Sequence, residues 1–166
     1  MEAYFPDNYR LCVRACLLVS LVYVTTGYLV TRVRNRFFNQ EWLEKNFGAE
    51  YEKYFKTKIP QGGYPDDGNG KFAEKLSFGE WHEFNQAARA FNNFTEWIMG
   101  SVASIAMAGL YNPELAAIIG YIIALGRLLY ALGYLVSPKY RIVGAAMAEI
   151  AIVVNLAIFG VGVYKS

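Results

Sequence analysis

Four apolar stretches, each about long enough to cross a bilayer, constrain this chain more than any other feature. Crossing requires about 20 mostly apolar residues. Stretches near that length run roughly over 11–33, 84–110, 114–136 and 142–164, the second only marginally apolar. Their connections are unequal. Tyr111-Asn112-Pro113 and Ser137-Pro138-Lys139 are tight proline-containing turns that force antiparallel neighbours. The first connection, about 34–81, is long and polar. The expected fold is all-α: an integral, multi-pass membrane four-helix bundle, one membrane domain over 1–166, with a long, partly amphipathic loop between helices 1 and 2.

Composition agrees with a membrane class. The chain is 55% hydrophobic and 16% aromatic, above the roughly 45–50% apolar content of soluble domains. Its mean hydropathy of +0.19 is modest because polar residues concentrate between Phe37 and Glu83. A net charge of +2 without a long basic run argues against a nucleic-acid partner. Cys12 and Cys16 lie four apart in an apolar stretch, so they share a helix face and cannot form a disulfide with each other inside a helix. The first apolar run is too long for a cleaved signal and lacks a small-residue cleavage site, so it reads as a retained anchor.

The front of the 34–81 loop spaces Phe37, Phe38, Trp42, Phe47, Tyr51, Tyr54 and Phe55 as an interfacial helix. A tract rich in glycine, proline and aspartate follows over 59–70. Such a tract is normally mobile, and a neighbouring subunit is the expected holder if it is still. Arg32, Arg34, Arg36, Lys139 and Arg141 all flank the first and third loops. The positive-inside rule therefore puts those loops in the cytosol or an equivalent compartment.

Ionisable groups within spans cost about 2.5–3.5 kcal/mol each on insertion scales, so they need a reason. Arg89, Asn93 and Glu96 share one face of helix 2, reaching about 10 Å inward at 1.5 Å per residue. Helix 3 runs the opposite way and brings Arg127, Tyr130 and Tyr134 to the same depth. Arg34 ends helix 1 and Arg141 opens helix 4 at that interface, with Glu149 two turns deeper. Arginine outnumbers carboxylate in this layer, and guanidinium forks suit carboxylates. The implied ligand is a small anion with several carboxylates, Glu96 complementing an ammonium. A polar network that only fixes helix packing is the competing interpretation.

The segment Phe84-Asn-Gln-Ala-Ala-Arg-Ala-Phe-Asn-Asn-Phe-Thr-Glu-Trp97 resembles the helix 2 signature of the MAPEG superfamily, the membrane-associated proteins of eicosanoid and glutathione metabolism. Gly126-Arg-Leu-Leu-Tyr-Ala-Leu-Gly-Tyr134 is similar to its helix 3 segment. The turn at Gly109–Pro113 and the segment 137–144 look most like the microsomal glutathione transferase 3 branch. The resemblance covers all four helices and leaves out the long loop. It implies a homotrimer with glutathione as co-substrate, held between subunits by Arg89, Asn93, Glu96, Arg127, Tyr130 and Tyr134. It also implies that Arg141 activates the thiol, with Arg34 close by from a neighbouring subunit. The expected reaction is glutathione transfer or peroxidase chemistry on lipophilic substrates drawn from the bilayer, in an endoplasmic reticulum or mitochondrial membrane.

Some positions depart from that pattern. Trp97 stands where the leukotriene synthase branch has tyrosine, Ile98-Met-Gly100 replaces prolines, Leu129 replaces an arginine and Asn35 interrupts the basic end of helix 1. These changes argue against leukotriene synthesis. Two non-catalytic alternatives stay open. One is an accessory subunit of a larger membrane complex, mitochondrial in one version, docking through the 34–81 loop; the other is a lipid-binding scaffold. No metal site is expected: His82 lacks ligand partners, and Asp66 and Asp67 read as turn residues rather than a calcium loop. Trp42, Trp81 and Trp97 read as interface anchors or core.

Overall fold

Ser20, Thr25, Thr26 and Thr31 each donate a hydroxyl to the carbonyl four residues earlier, which lets polar side chains sit in an apolar helix without exposing a donor. That helix, α1, is Arg10–Phe37. The computed structural model describes residues 5–62 and 66–166, and among them the regular elements are all helical. After α1 come α2 (Gln40–Leu43), α3 (Ala49–Phe55), α4 (Phe78–Gly109), α5 (Pro113–Val136) and α6 (Arg141–Lys165). A π turn at Glu44–Gly48 joins α2 to α3, and short 3-10 turns occupy Ala73–Lys75 and Pro138–Tyr140.

Helices occupy all four expected stretches, with shifted ends. α4 starts six residues earlier than the expected 84 because Ser77 and Glu80 form a capping box. The Ser77 hydroxyl and backbone N–H donate to Glu80 Oε2 at 2.7 and 2.9 Å, and the Glu80 N–H returns to Ser77 Oγ at 3.4 Å. α5 has Pro113 in its first turn and Asn112 as its cap, accepting from the Leu115 N–H at 3.2 Å.

Among the described residues, three segments are long and apolar enough to cross a membrane: Arg10–Phe37, Pro113–Val136 and Pro138–Lys165. The expected second span is also helical, but it falls short on composition. Polar residues continue along α4 to Glu96, and the apolar remainder, 97–109, covers only about 20 Å at the helical rise.

The chain divides into two compact units, one of 1–26 with 90–166 and one of 27–89. In the first, Cys12, Ala15 and Val19 of α1 recur at helical spacing and pack with Ile105 and Ala108 of α4, Ile119 and Ile123 of α5, and Ala151 and Ile152 of α6. Both cysteines are free thiols. α5 and α6 approach backbone to backbone through glycine. A Cβ on Gly126 would meet the Ala148 nitrogen at 2.8 Å, and one on Gly144 would strike the Tyr130 backbone. This contact sets the register that presents Arg127, Tyr130 and Tyr134.

The second unit has its own core of Phe38, Leu43, Phe47, Ile59, Ala73 and Phe84. Phe38 packs edge-on against Phe84 and Phe72, and Phe47 packs on Phe72. Residues 40–55 of the segment expected as an interfacial helix are helical, as α2, the π turn and α3, but Phe38 and Phe47 are buried in this core. Of the 59–70 tract, residues 63–65 lie outside the described residues. From Asp66 onward the turn is built on one carboxylate: Asp66 is 2% exposed and accepts the N–H groups of Gly68, Gly70 and Ala73 at 2.8–3.1 Å. The Gly68 carbonyl in turn accepts from Trp81 Nε1 and Asn85, both at 2.8 Å. Asp66 is thus committed to backbone donors.

Candidate functional site

Burying an arginine in an apolar helix leaves a charge and five N–H donors to be satisfied. Arg127 on α5 is 1% exposed. Its Nη1 donates to Asn93 Oδ1 on α4 at 3.1 Å, and its guanidinium lies over the rings of Trp97 and Phe94, 5.3 and 5.7 Å from their centres. Nε and Nη2 are buried without a hydrogen-bond partner. Aromatic faces offset part of the charge, but they accept no in-plane hydrogen bond. Arg127 joins none of the salt bridges found among the described residues.

Asn93 connects this guanidinium to a carboxylate. Its Nδ2 points to Glu96 Oε2 at 3.5 Å, a long contact that orients the amide more than it binds. Glu96 is exposed. Glu96, Asn93 and Arg127 thus form an ordered row of carboxylate, amide and guanidinium across α4 and α5.

A second cluster joins α5 and α6. Arg141 Nη1 donates to the Tyr134 hydroxyl at 3.2 Å, and its guanidinium lies 5.0 Å from the centre of the same ring. Tyr130 packs on Tyr134 at 5.7 Å, both buried with Ala90 of α4. The 3-10 turn Pro138–Tyr140 directs the chain into α6, so Arg141 opens the helix half-buried, with one of its donors on a phenol.

The other two expected arginines belong to the unit 27–89. Arg34 forms an ion pair with Asp67 and lies 5.7 Å from the centre of the Phe84 ring. Arg89 is exposed and joins none of the ion pairs found among the described residues.

The sequence profile of the MAPEG family matches residues 13–162. The chain belongs to the MAPEG family. A search among curated proteins found no match. The MAPEG match takes in every candidate site residue from Arg34 to Arg141, and with the three apolar helices it makes the chain an integral membrane protein.

Sequence reasoning missed the partners that these arginines have in the fold. Phe94 and Trp97, next to Asn93 and Glu96 on α4, form the aromatic bed of Arg127; their spacing of three is a visible signal, but it reads equally as core or anchor. Asp67 lies 33 residues from Arg34, and nothing local in the chain marks that pairing.

Proposed function

We propose that this MAPEG member is a membrane-bound glutathione transferase or peroxidase, of the microsomal glutathione transferase 3 type. The observation that carries the reading is Arg127. A fully buried guanidinium with Nε and Nη2 unsatisfied costs about 1–3 kcal/mol per stranded donor, and a ligand carboxylate is the acceptor that suits both donors at once. In this reading α4 is the fourth span, its polar face turned to the ligand instead of lipid.

Arg127, Asn93 and Glu96 supply a cation, an amide and an anion in order along two helices. They complement a carboxylate, a peptide group and an ammonium, all three of which the γ-glutamyl end of glutathione carries. Tyr130, Tyr134 and Arg89 add hydrogen bonds from the same helices. Glutathione supplies a thiol of ordinary pKa about 8.5. Arg141, positioned by Tyr134, stabilises its thiolate, and about 1.4 kcal/mol of such stabilisation raises the thiolate-to-thiol ratio tenfold. The thiolate forms a carbon–sulfur bond to a lipophilic electrophile, and the leaving group departs or a proton adds to the product. With a lipid hydroperoxide, two thiols are oxidised to a disulfide while the peroxide is reduced to alcohol and water. The site is completed between subunits of a homotrimer in an endoplasmic reticulum or mitochondrial membrane, where Arg34 of a neighbouring subunit assists.

The test is glutathione conjugation by the purified protein. Arg141→Ala should lower kcat/KM roughly 100-fold or more if the guanidinium acts as an electrostatic stabiliser, and an equally active variant removes Arg141 from that role. One observation favours a second reading, an accessory subunit of a larger membrane complex. The 27–89 segment folds around its own core, and Arg34 there is engaged by Asp67. Isolation as a single copy among other proteins, not as a trimer, would decide for that reading.

A further inference from the structure

The most exposed part of the 27–89 unit combines aromatic and basic residues. α3 ends at Lys56, which takes a left-handed conformation at φ 58° and closes the helix with its N–H on Glu52. The chain then folds back: the Ile59 carbonyl accepts from Gln40 Nε2 at 2.9 Å, and Ile59 is buried. Residues 54–58 thus form a braced tip, with Tyr54 69% and Phe55 63% exposed. Beside them runs a groove of about 540 Å³ with Phe47, Tyr51, Ile59 and Phe72 in its wall.

Charge around this groove is unequal. Lys53, Lys56, Lys58, Lys71 and Lys75 are exposed, against Glu50, Glu52 and Glu74. Glu50 is already engaged by Lys71 at 2.7 Å. Chain geometry limits where the tip can be. α2 begins at Gln40, three residues after the end of α1, which has Arg34 and Arg36 in its last turn. The 16 residues 40–55 then reach about 24 Å at the helical rise.

We infer that the Tyr54–Lys58 tip docks on the anionic headgroup layer of the membrane that α1 spans, its aromatic groove taking an acyl chain and its lysines the phosphates. Exposed aromatic side chains favour the interfacial zone, and lysines add affinity where the lipid is anionic. Such docking is independent of catalysis and serves an accessory subunit equally.

The experiment places an environment-sensitive fluorophore at Thr57→Cys, with Cys12 and Cys16 changed to alanine, in nanodiscs of phosphatidylcholine with or without phosphatidylserine. Headgroup spin labels should quench the probe in the anionic discs. Neutralising Lys53, Lys56 and Lys58 to glutamine should weaken docking about fivefold per lysine, and Tyr54→Ser with Phe55→Ser should abolish it. Quenching that ignores both phosphatidylserine and the substitutions overturns the inference. So does a probe that stays in water in both discs, or one shielded only when partner proteins are added. Unsubstituted protein provides a check that does not depend on the cysteine changes: tryptic cleavage after Lys53, Lys56 and Lys58 should slow in anionic discs, and equal rates refute the docking.

Discussion

Replacing Asn93 by aspartate separates a ligand-binding role for Arg127 from a purely structural one. Asn93 Oδ1 lies 3.1 Å from Arg127 Nη1, so the substitution puts a carboxylate in contact with the guanidinium while keeping side-chain size. Two charges about 4 Å apart attract by about 4 kcal/mol at an effective dielectric of 20. Desolvation, and repulsion from the Glu96 carboxylate 3.5 Å from the Asn93 amide nitrogen, cancel much of this, and the folded protein should stay near its original Tm. A ligand carboxylate on Nε and Nη2 would then lie about 7 Å from the new charge and be repelled by about 2.4 kcal/mol at the same dielectric. Glutathione affinity should fall roughly 50-fold. Asn93→Ala is the control. It strands one more donor, costing about 1–3 kcal/mol of stability, and gives up the amide's contact with the ligand, but it introduces no repelling charge, so binding should fall less. Calorimetric titration of glutathione, with thermal unfolding alongside, reads both effects. Wild-type affinity in Asn93→Asp would refute the proposal that Arg127 receives a carboxylate.

Three further outcomes are expected. Asp66→Ala removes the acceptor of three backbone N–H groups; at a net cost of about 3 kcal/mol, tryptic cleavage after Lys71 should speed up about 100-fold, since proteolysis follows the open population. Gly144→Leu drives a side chain into the Tyr130 backbone and should cost about 3 kcal/mol or more, read as a lower Tm together with loss of glutathione binding. The Ser77 hydroxyl, with its backbone N–H, holds Glu80 below its ordinary value of 4.5. A depressed folded value means that the stabilisation is complete above about 4.5 and is lost as pH falls through the folded value. Protection of the 77–81 amides from hydrogen exchange should therefore decline in acid, and Ser77→Ala should flatten that pH dependence.

Helix type, the polar face of α4 and the turn at Asn112-Pro113 are legible because each depends on residues within about four positions. Backbone hydrogen bonds then dictate which side chains share a face. The capping box at Ser77 and Glu80 is equally local and written in the sequence, yet it is masked there, because the polar residues around it read as loop. The local pattern also shows that Arg89, Asn93 and Glu96 are aligned, but not which of them meets a partner. Asn93 finds Arg127 at a separation of 34 residues, and Arg34 finds Asp67 at 33.

Those meetings depend on how elements pack. Arg127 is buried because Gly126 and Gly144 let α5 and α6 approach closely and because Phe94 and Trp97 cover its guanidinium. Arg89, on the same helical face as Asn93, stays exposed. Composition and period established on their own an all-helical membrane chain with arginines aligned on polar faces. Only the tertiary structure decided which arginine would be buried with donors to spare, because stranding a guanidinium requires close packing on every side, and no single helix provides that.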